Sequence, residues 1–175
     1  MLKDSNDSGD SNPGWFARLG DHVVFSAYDE DHGNELWRTD GTPGGTELVV
    51  DKVPGPDGLN PAFLTRVGDR ILFAGITAAK GSELWKTDGT AGGTQLVKDI
   101  RPGTGSSNVA GSGGGGMAVM NGVAYFAAND GTNGTELWRS NGTANGTRLV
   151  KNLNAGELWS DPQRFVVLGD LLLFK

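Results

Sequence analysis

Glu-Leu-Trp-Lys-Thr-Asp-Gly-Thr-Ala-Gly-Gly-Thr-Gln-Leu-Val-Lys-Asp-Ile, residues 83–100, is the stretch on which the fold turns, because its first eight positions recur. Glu35 to Thr42 and Glu136 to Thr143 repeat it with only Arg for Lys, Ser for Thr and Asn for Asp, and a Gly-Thr and a Leu-Val pair follow each time. Aligned on Trp37, Trp85 and Trp138, the copies are spaced by 48 residues (37 to 85) and 53 residues (85 to 138). A period of this size marks one supersecondary unit that cannot bury its apolar face alone, so the copies must stack.

The register extends beyond the motif. Gly20-Asp21, Gly68-Asp69, Asn121-Gly122 and Gly169-Asp170 fall together, as do Phe25, Phe73, Phe126 and Phe174, and the last of each set begins a fourth copy. The longer second interval is explained by an insertion within Gly103 to Gly116, around Ser-Gly-Gly-Gly-Gly. Within a copy, apolar and polar residues alternate with period two between turn residues, which predicts strands in hairpin succession. In the first copy these are Trp15 to Leu19, His22 to Tyr28, Glu35 to Thr39 and Thr46 to Asp51, with turns at Gly20-Asp21, Asp31 to Asn34 and Asp40 to Gly45. Gly-Asp and Asn-Gly suit tight hairpins because they tolerate positive φ.

Four antiparallel strands per unit predict an all-β chain built as a partial β-propeller. The expected organisation is a single array over 1–175, with units at about 13–60, 61–112 and 113–161 and incomplete blades at 1–12 and 162–175. Leu2-Lys3-Asp4 matches the end of a unit at Leu96 to Asp99, and Pro162 to Phe174 repeats Pro13 to Phe25, so the array is expected to run past both ends and to expose an edge at Phe165 to Phe174. A β-trefoil, also made of three four-stranded units, is the alternative; it closes at three and leaves no overhang.

Bulk properties narrow the function. A formal charge of −6 with no basic stripe disfavours nucleic acid. The longest apolar stretch, Phe165 to Phe174, falls short of the roughly 20 residues of a spanning helix, so no membrane insertion is expected. Without cysteine there is no thiol nucleophile or thiolate metal site. The first residues lack the apolar core of a secretion signal.

Each repeated residue has a structural use. Trp37, Trp85 and Trp138 lie mid-strand and are expected as core or inter-unit pegs, each worth at most about 4 to 6 kcal/mol of burial. A ring of aromatic platforms for sugar is the functional alternative. Trp15 and Trp159 fall outside that register and are expected as exposed contacts. Asp40, Asp88 and Asn141 can each close an Asx turn, and Asn in the third copy indicates that acceptor geometry matters more than charge. Glu35, Glu83 and Glu136 recur at equivalent places, which suits a structural device better than a catalytic pair, whose members need separated pKa values.

Chemistry should therefore sit where copies differ. Asp29-Glu30-Asp31-His32-Gly33 has the D-x-D-x-G spacing of a calcium loop; a solvated hairpin tip is the preferred reading and calcium at Asp29 and Asp31 the alternative. No other cofactor is expected. The only histidines are His22 and His32, so triads and multi-histidine metal sites lack material and no catalytic residue is assigned. Asn133, Asn141 and Asn145 each begin an Asn-Gly-Thr that fits the glycosylation pattern, equally explained by turn chemistry.

The unit complete from Glu83 to Ile100 resembles the repeat of bacterial secreted and cell-surface proteins named for the motif ELWxxDGT. The resemblance covers nearly the whole chain and implies a propeller-like array on exported proteins, acting as scaffold or as an adhesion or ligand-binding surface. Its partners would be further repeats of the parent chain and a glycan or protein ligand. It implies no catalytic residue. A glycan-acting propeller enzyme or a trefoil-type lectin are the rival functions.

Overall fold

The structure, a computed structural model, describes residues 6, 9–110, 115–154 and 159–175. Residues 2–4, residues 111–114 of the expected linker, and Glu157 and Leu158 lie outside the described residues. Among the described residues every assigned element is a strand. The first sheet is β1 (Gly14–Leu19), β2 (His22–Asp29), β3 (Gly33–Thr39) and β4 (Glu47–Val50). The second is β5 (Ala62–Val67), β6 (Arg70–Thr77), β7 (Gly81–Thr87) and β8 (Gln95–Lys98). The third is β9 (Ala118–Met120), β10 (Val123–Asn129), β11 (Thr135–Ser140) and β12 (Arg148–Lys151), and a hairpin of β13 (Val166–Leu168) and β14 (Leu171–Leu173) follows. Each sheet is an antiparallel meander whose spatial order is its chain order.

The fourth strand is shorter than Thr46 to Asp51. Thr46 is held in the preceding loop by its hydroxyl, which bonds the Thr42 carbonyl at 2.8 Å, and residues 51 onward leave the sheet. The third strand starts earlier than expected, at Gly33, which tightens the hairpin before it. The terminal hairpin is likewise confined to 166–173 within the expected edge.

Register is the same in every sheet. Phe25 pairs with Trp37, Phe73 with Trp85 and Phe126 with Trp138. On its other side each Trp-bearing strand slips its register between the Leu and the Trp, at Leu36/Trp37, Leu84/Trp85 and Leu137/Trp138. Such a bulge bends the strand and increases twist. A second irregularity lies in or just before the first strand, where Trp15, Phe63, Gly116 and Arg164 share a left-handed backbone with φ of 52°, 59°, 63° and 57°. The short hairpin thus repeats the backbone of the complete sheets.

The two faces of a strand point to different neighbours, as period-two alternation requires. Val24 and Leu36 of the first sheet form one core with Ile71, Phe73 and Trp85 of the second. Leu72 and Leu84, on the opposite face of the second, form the next core with Phe126 and Trp138 of the third. A smaller cluster of Phe25, Ala27 and Trp37 lies on the far face of the first sheet. First strands lie side by side, β1 against β5, β5 against β9 and β9 against β13. Trp15 and Phe63, on β1 and β5, bring their rings to 4.6 Å.

Candidate functional site

The most repeated polar constellation is a buried carboxylate at the seam between successive sheets. Glu35, Glu83 and Glu136 are fully buried, each near the start of its Trp-bearing strand. Their oxygens accept backbone N–H groups from the segment that leads out of the same sheet. Glu35 Oε1 receives Lys52, Val53 and Leu59 at 3.2, 3.1 and 2.9 Å. Glu83 receives Ile100, Arg101 and Ser107 at 2.6, 3.4 and 3.1 Å. Glu136 receives Leu153 at 2.9 Å, and both the amide and the hydroxyl of Ser160, at 3.2 and 2.7 Å. The connector then turns through a left-handed residue, Asn60, Asn108 or Asp161, and enters the next first strand or, after Asn108, the stretch that leads to it. One carboxylate per unit therefore aims the chain from one sheet to the next.

Burial dominates the ionisation of these groups. It pushes Glu35 from 4.5 up to about 7 against the N–H groups of Val53, Leu59 and Lys52, and the charge of Asp51 adds to the rise. Glu83 also rises to about 7 through burial, opposed by Ile100, Ser107 and Arg101 and assisted by Asp99. Asp51, Asp99 and Asn152, at equivalent positions just past the fourth strand, each bury one oxygen without a hydrogen-bond partner. Their remaining polar atoms find different answers in different copies. Lys80 meets Asp99 at 2.7 Å and Asn152 donates to Asn133 at 2.9 Å. His32, at the place of Lys80 and Asn133, instead points Nδ1 at the Asp29 carboxylate, at 2.8 and 2.9 Å.

The Thr-Asp-Gly-Thr loops form a second repeated constellation. The Asp40 carboxylate accepts the amide and hydroxyl of Thr42 at 2.9 and 2.7 Å, and the Thr42 hydroxyl accepts Gly45 N–H at 3.0 Å. Asp88 and Asn141 do the same with Thr90 and Gly93 and with Thr143 and Gly146. Bonds from the threonine hydroxyl and amide hold Asp40 and Asp88 below the usual carboxylate range. A Cβ on Gly45, Gly93 or Gly146 would collide with the very oxygen that closes the turn. All of these acceptors are engaged within their own loops.

The tryptophans divide by position. Trp37, Trp85 and Trp138 are buried, whereas Trp15 is 49% and Trp159 64% exposed. Asp29 is buried and occupied by the amide and ring of His32, while Asp31 is exposed. Among the described residues no three His, Cys, Asp or Glu side chains gather where they could hold a metal ion. Surface hollows are open. One of about 210 Å³ is lined by Asp69, Arg70, Lys86, Asp88 and Gln95, and a larger one of about 400 Å³, of mixed polar and apolar lining, by Ser160, Asp161, Gln163 and Lys175; the second falls within the roughly 300 to 1,000 Å³ usual for small-molecule sites. Another lies where Arg38 crosses between units to donate to the Gly89 carbonyl at 3.0 Å. Among the described residues no helix is long and apolar enough to cross a membrane.

No family model matches the chain, and no curated protein or solved structure is significantly similar to it.

Proposed function

We propose that the chain is a non-catalytic β-propeller repeat module of the ELWxxDGT type, an extracellular or cell-surface scaffold that offers an adhesion or ligand-binding surface. The carrying observation is that the repeated polar residues are engaged inside the chain: glutamates on connector amides and Asp or Asn on their own turns. A catalytic group needs an unspent polar atom aimed at substrate. The one buried oxygen among them left without a partner, Glu35 Oε2, belongs to a fully buried side chain and is not open to substrate. The propeller reading is supported by strand pairing confined to each unit among the described residues, and by neighbouring first strands with apolar faces stacked sheet on sheet. A trefoil would require strands shared around a threefold axis. The partners are further repeats and a glycan or protein ligand, with Trp15 and Trp159 as the exposed aromatic contacts.

Small-angle scattering tests the architecture: an arc of wedges gives an elongated profile, and a globular threefold profile would refute it. A glycan array with a parallel turnover screen tests the function. Product formation by the chain would overturn the non-catalytic reading.

A further inference from the structure

Four Asn-Gly pairs, beginning at Asn121, Asn133, Asn141 and Asn145, all lie in the third unit. Such a pair carries its own chemistry: the glycine nitrogen, shielded by no Cβ, can attack the Asn Cγ and close a cyclic imide. In a folded chain the reaction needs that nitrogen and that side chain free to meet. Three of the pairs are held. Gly142 is buried and donates its N–H to Ser140 Oγ at 3.0 Å, while Asn141 Oδ1 is spent on Thr143. Gly146 N–H is bonded to the Thr143 hydroxyl at 3.0 Å. Asn133 donates Nδ2 to Asp130 at 2.7 Å, accepts Asn152 at 2.9 Å and precedes a buried Gly134.

Asn121-Gly122 is the exception. These two residues are the whole turn between β9 and β10, closed by the pair Met120 and Val123. Both have a left-handed backbone, with φ of 51° and 72°, and both are exposed. A turn of this kind leaves the Gly122 N–H outside the ladder, and no described residue accepts it. Nothing lies within 4 Å of where a Gly122 Cβ would stand, so the turn can reach the closing geometry by local motion. Its single tie runs from Asn121 Nδ2, the nitrogen that leaves, to the exposed Asp170 carboxylate at 3.2 Å. The equivalent turns read Gly-Asp and are followed by His22, Arg70 and Leu171, so the third unit alone sets an amide side chain before glycine here.

We propose that Asn121 is a self-modification site, at which the folded chain deamidates through an imide with Gly122. The Gly122 nitrogen bonds to Asn121 Cγ, the Cγ–Nδ2 bond breaks, and the glycine amide proton leaves with that nitrogen as ammonia. Water then opens the imide at one of its two carbonyls, giving aspartate or, with the main chain rerouted through the side chain, isoaspartate. Water is the only co-reactant. Either product replaces the donor that Asp170 accepts with a second carboxylate facing it, so repulsion takes the place of a hydrogen bond between the third sheet and the following hairpin. Isoaspartate also adds a main-chain carbon to a turn built for two residues. This contact therefore lapses as the folded protein ages, whatever architecture the array adopts.

The test incubates the full chain in warm, mildly alkaline buffer, folded in one arm and unfolded in urea in the other. Samples taken over time are digested, and tandem mass spectrometry reads the exchange of NH2 for OH at each Asn-Gly, with isoaspartate as an additional chromatographic peak. In urea the four pairs should convert at similar rates, since each Asn precedes the same residue. In the folded chain Asn121 should run at least about tenfold ahead of Asn133, Asn141 and Asn145. Any of those three keeping pace with Asn121 in the folded chain would overturn the proposal. So would an Asn121 that converts in urea and stays intact when folded.

Discussion

Glu83→Ala removes the acceptor that ties the connector of the second sheet, and the cost can be assembled from its three bonds. Ile100 N–H, at 2.6 Å, loses the one acceptor it has outside regular strand pairing, about 1 to 3 kcal/mol for an orphaned buried donor. Ser107 N–H also bonds the Ser82 carbonyl at 2.9 Å, and Arg101 N–H reaches only 3.4 Å, so both add little. The cavity left by the carboxyl and its methylene adds on the order of 1 to 2 kcal/mol, for a total of about 3 kcal/mol. Glu83→Gln keeps the volume and one acceptor and should cost less than about 1 kcal/mol at pH 5.

The pair also carries a pH signature. Folded Glu83 titrates at about 7, above its ordinary 4.5, so the native state holds more protons than the unfolded chain between those values. The stabilisation is complete below about pH 4.5 and is lost as pH rises to 7, with a ceiling of about 3 kcal/mol for one such glutamate. Urea unfolding at pH 5 and pH 8, followed by circular dichroism, measures both effects. The wild type should lose stability toward pH 8, and Glu83→Gln should remove the part due to this one group. Wild-type and Glu83→Ala stabilities within about 0.5 kcal/mol of each other, or an identical pH dependence in Glu83→Gln, would refute the reasoning.

Other outcomes follow from the same geometry. Gly93→Ala drives a Cβ into the Asp88 carboxylate, whereas Gly92→Ala meets open space; thermal melting should register a loss of about 2 to 4 kcal/mol for the first and under about 1 for the second. Trp85→Ala empties the seam between two sheets and should cost about 3 to 5 kcal/mol, against about 0.5 or less for exposed Trp159→Ala, by urea titration. Lys80→Met breaks a half-exposed ion pair with Asp99 and should cost no more than about 1 kcal/mol by the same assay. Calorimetry at millimolar calcium should give no heat that Asp31→Ala removes, since Asp29 is turned to His32.

What the sequence announced was what demands a particular side chain. The hairpin turns needed Gly, Asn or Asp, the Thr-Asp-Gly-Thr loops needed an acceptor facing a glycine, and the Phe and Trp positions needed large apolar surface, so each recurred. The connector was silent because its donors are backbone N–H groups, which Leu59, Ser107 and Ser160 supply equally well. The recurrence of Glu35, Glu83 and Glu136 was visible but its partners were not. The left-handed position shared by Trp15, Phe63, Gly116 and Arg164 left no residue signature at all, since a conformation imposed by packing does not select one side chain. The tie between the second hairpin and the exit of the fourth strand was hidden because its chemistry changes from Lys80 with Asp99 to Asn133 with Asn152.

That consecutive sheets shield one another is tested most directly by a double-mutant cycle across the first seam, pairing Val24→Ala on β2 with Phe73→Ala on β6, both in one core. The account predicts a coupling of at least about 0.5 kcal/mol in urea unfolding; costs that add to within about 0.3 kcal/mol would contradict it.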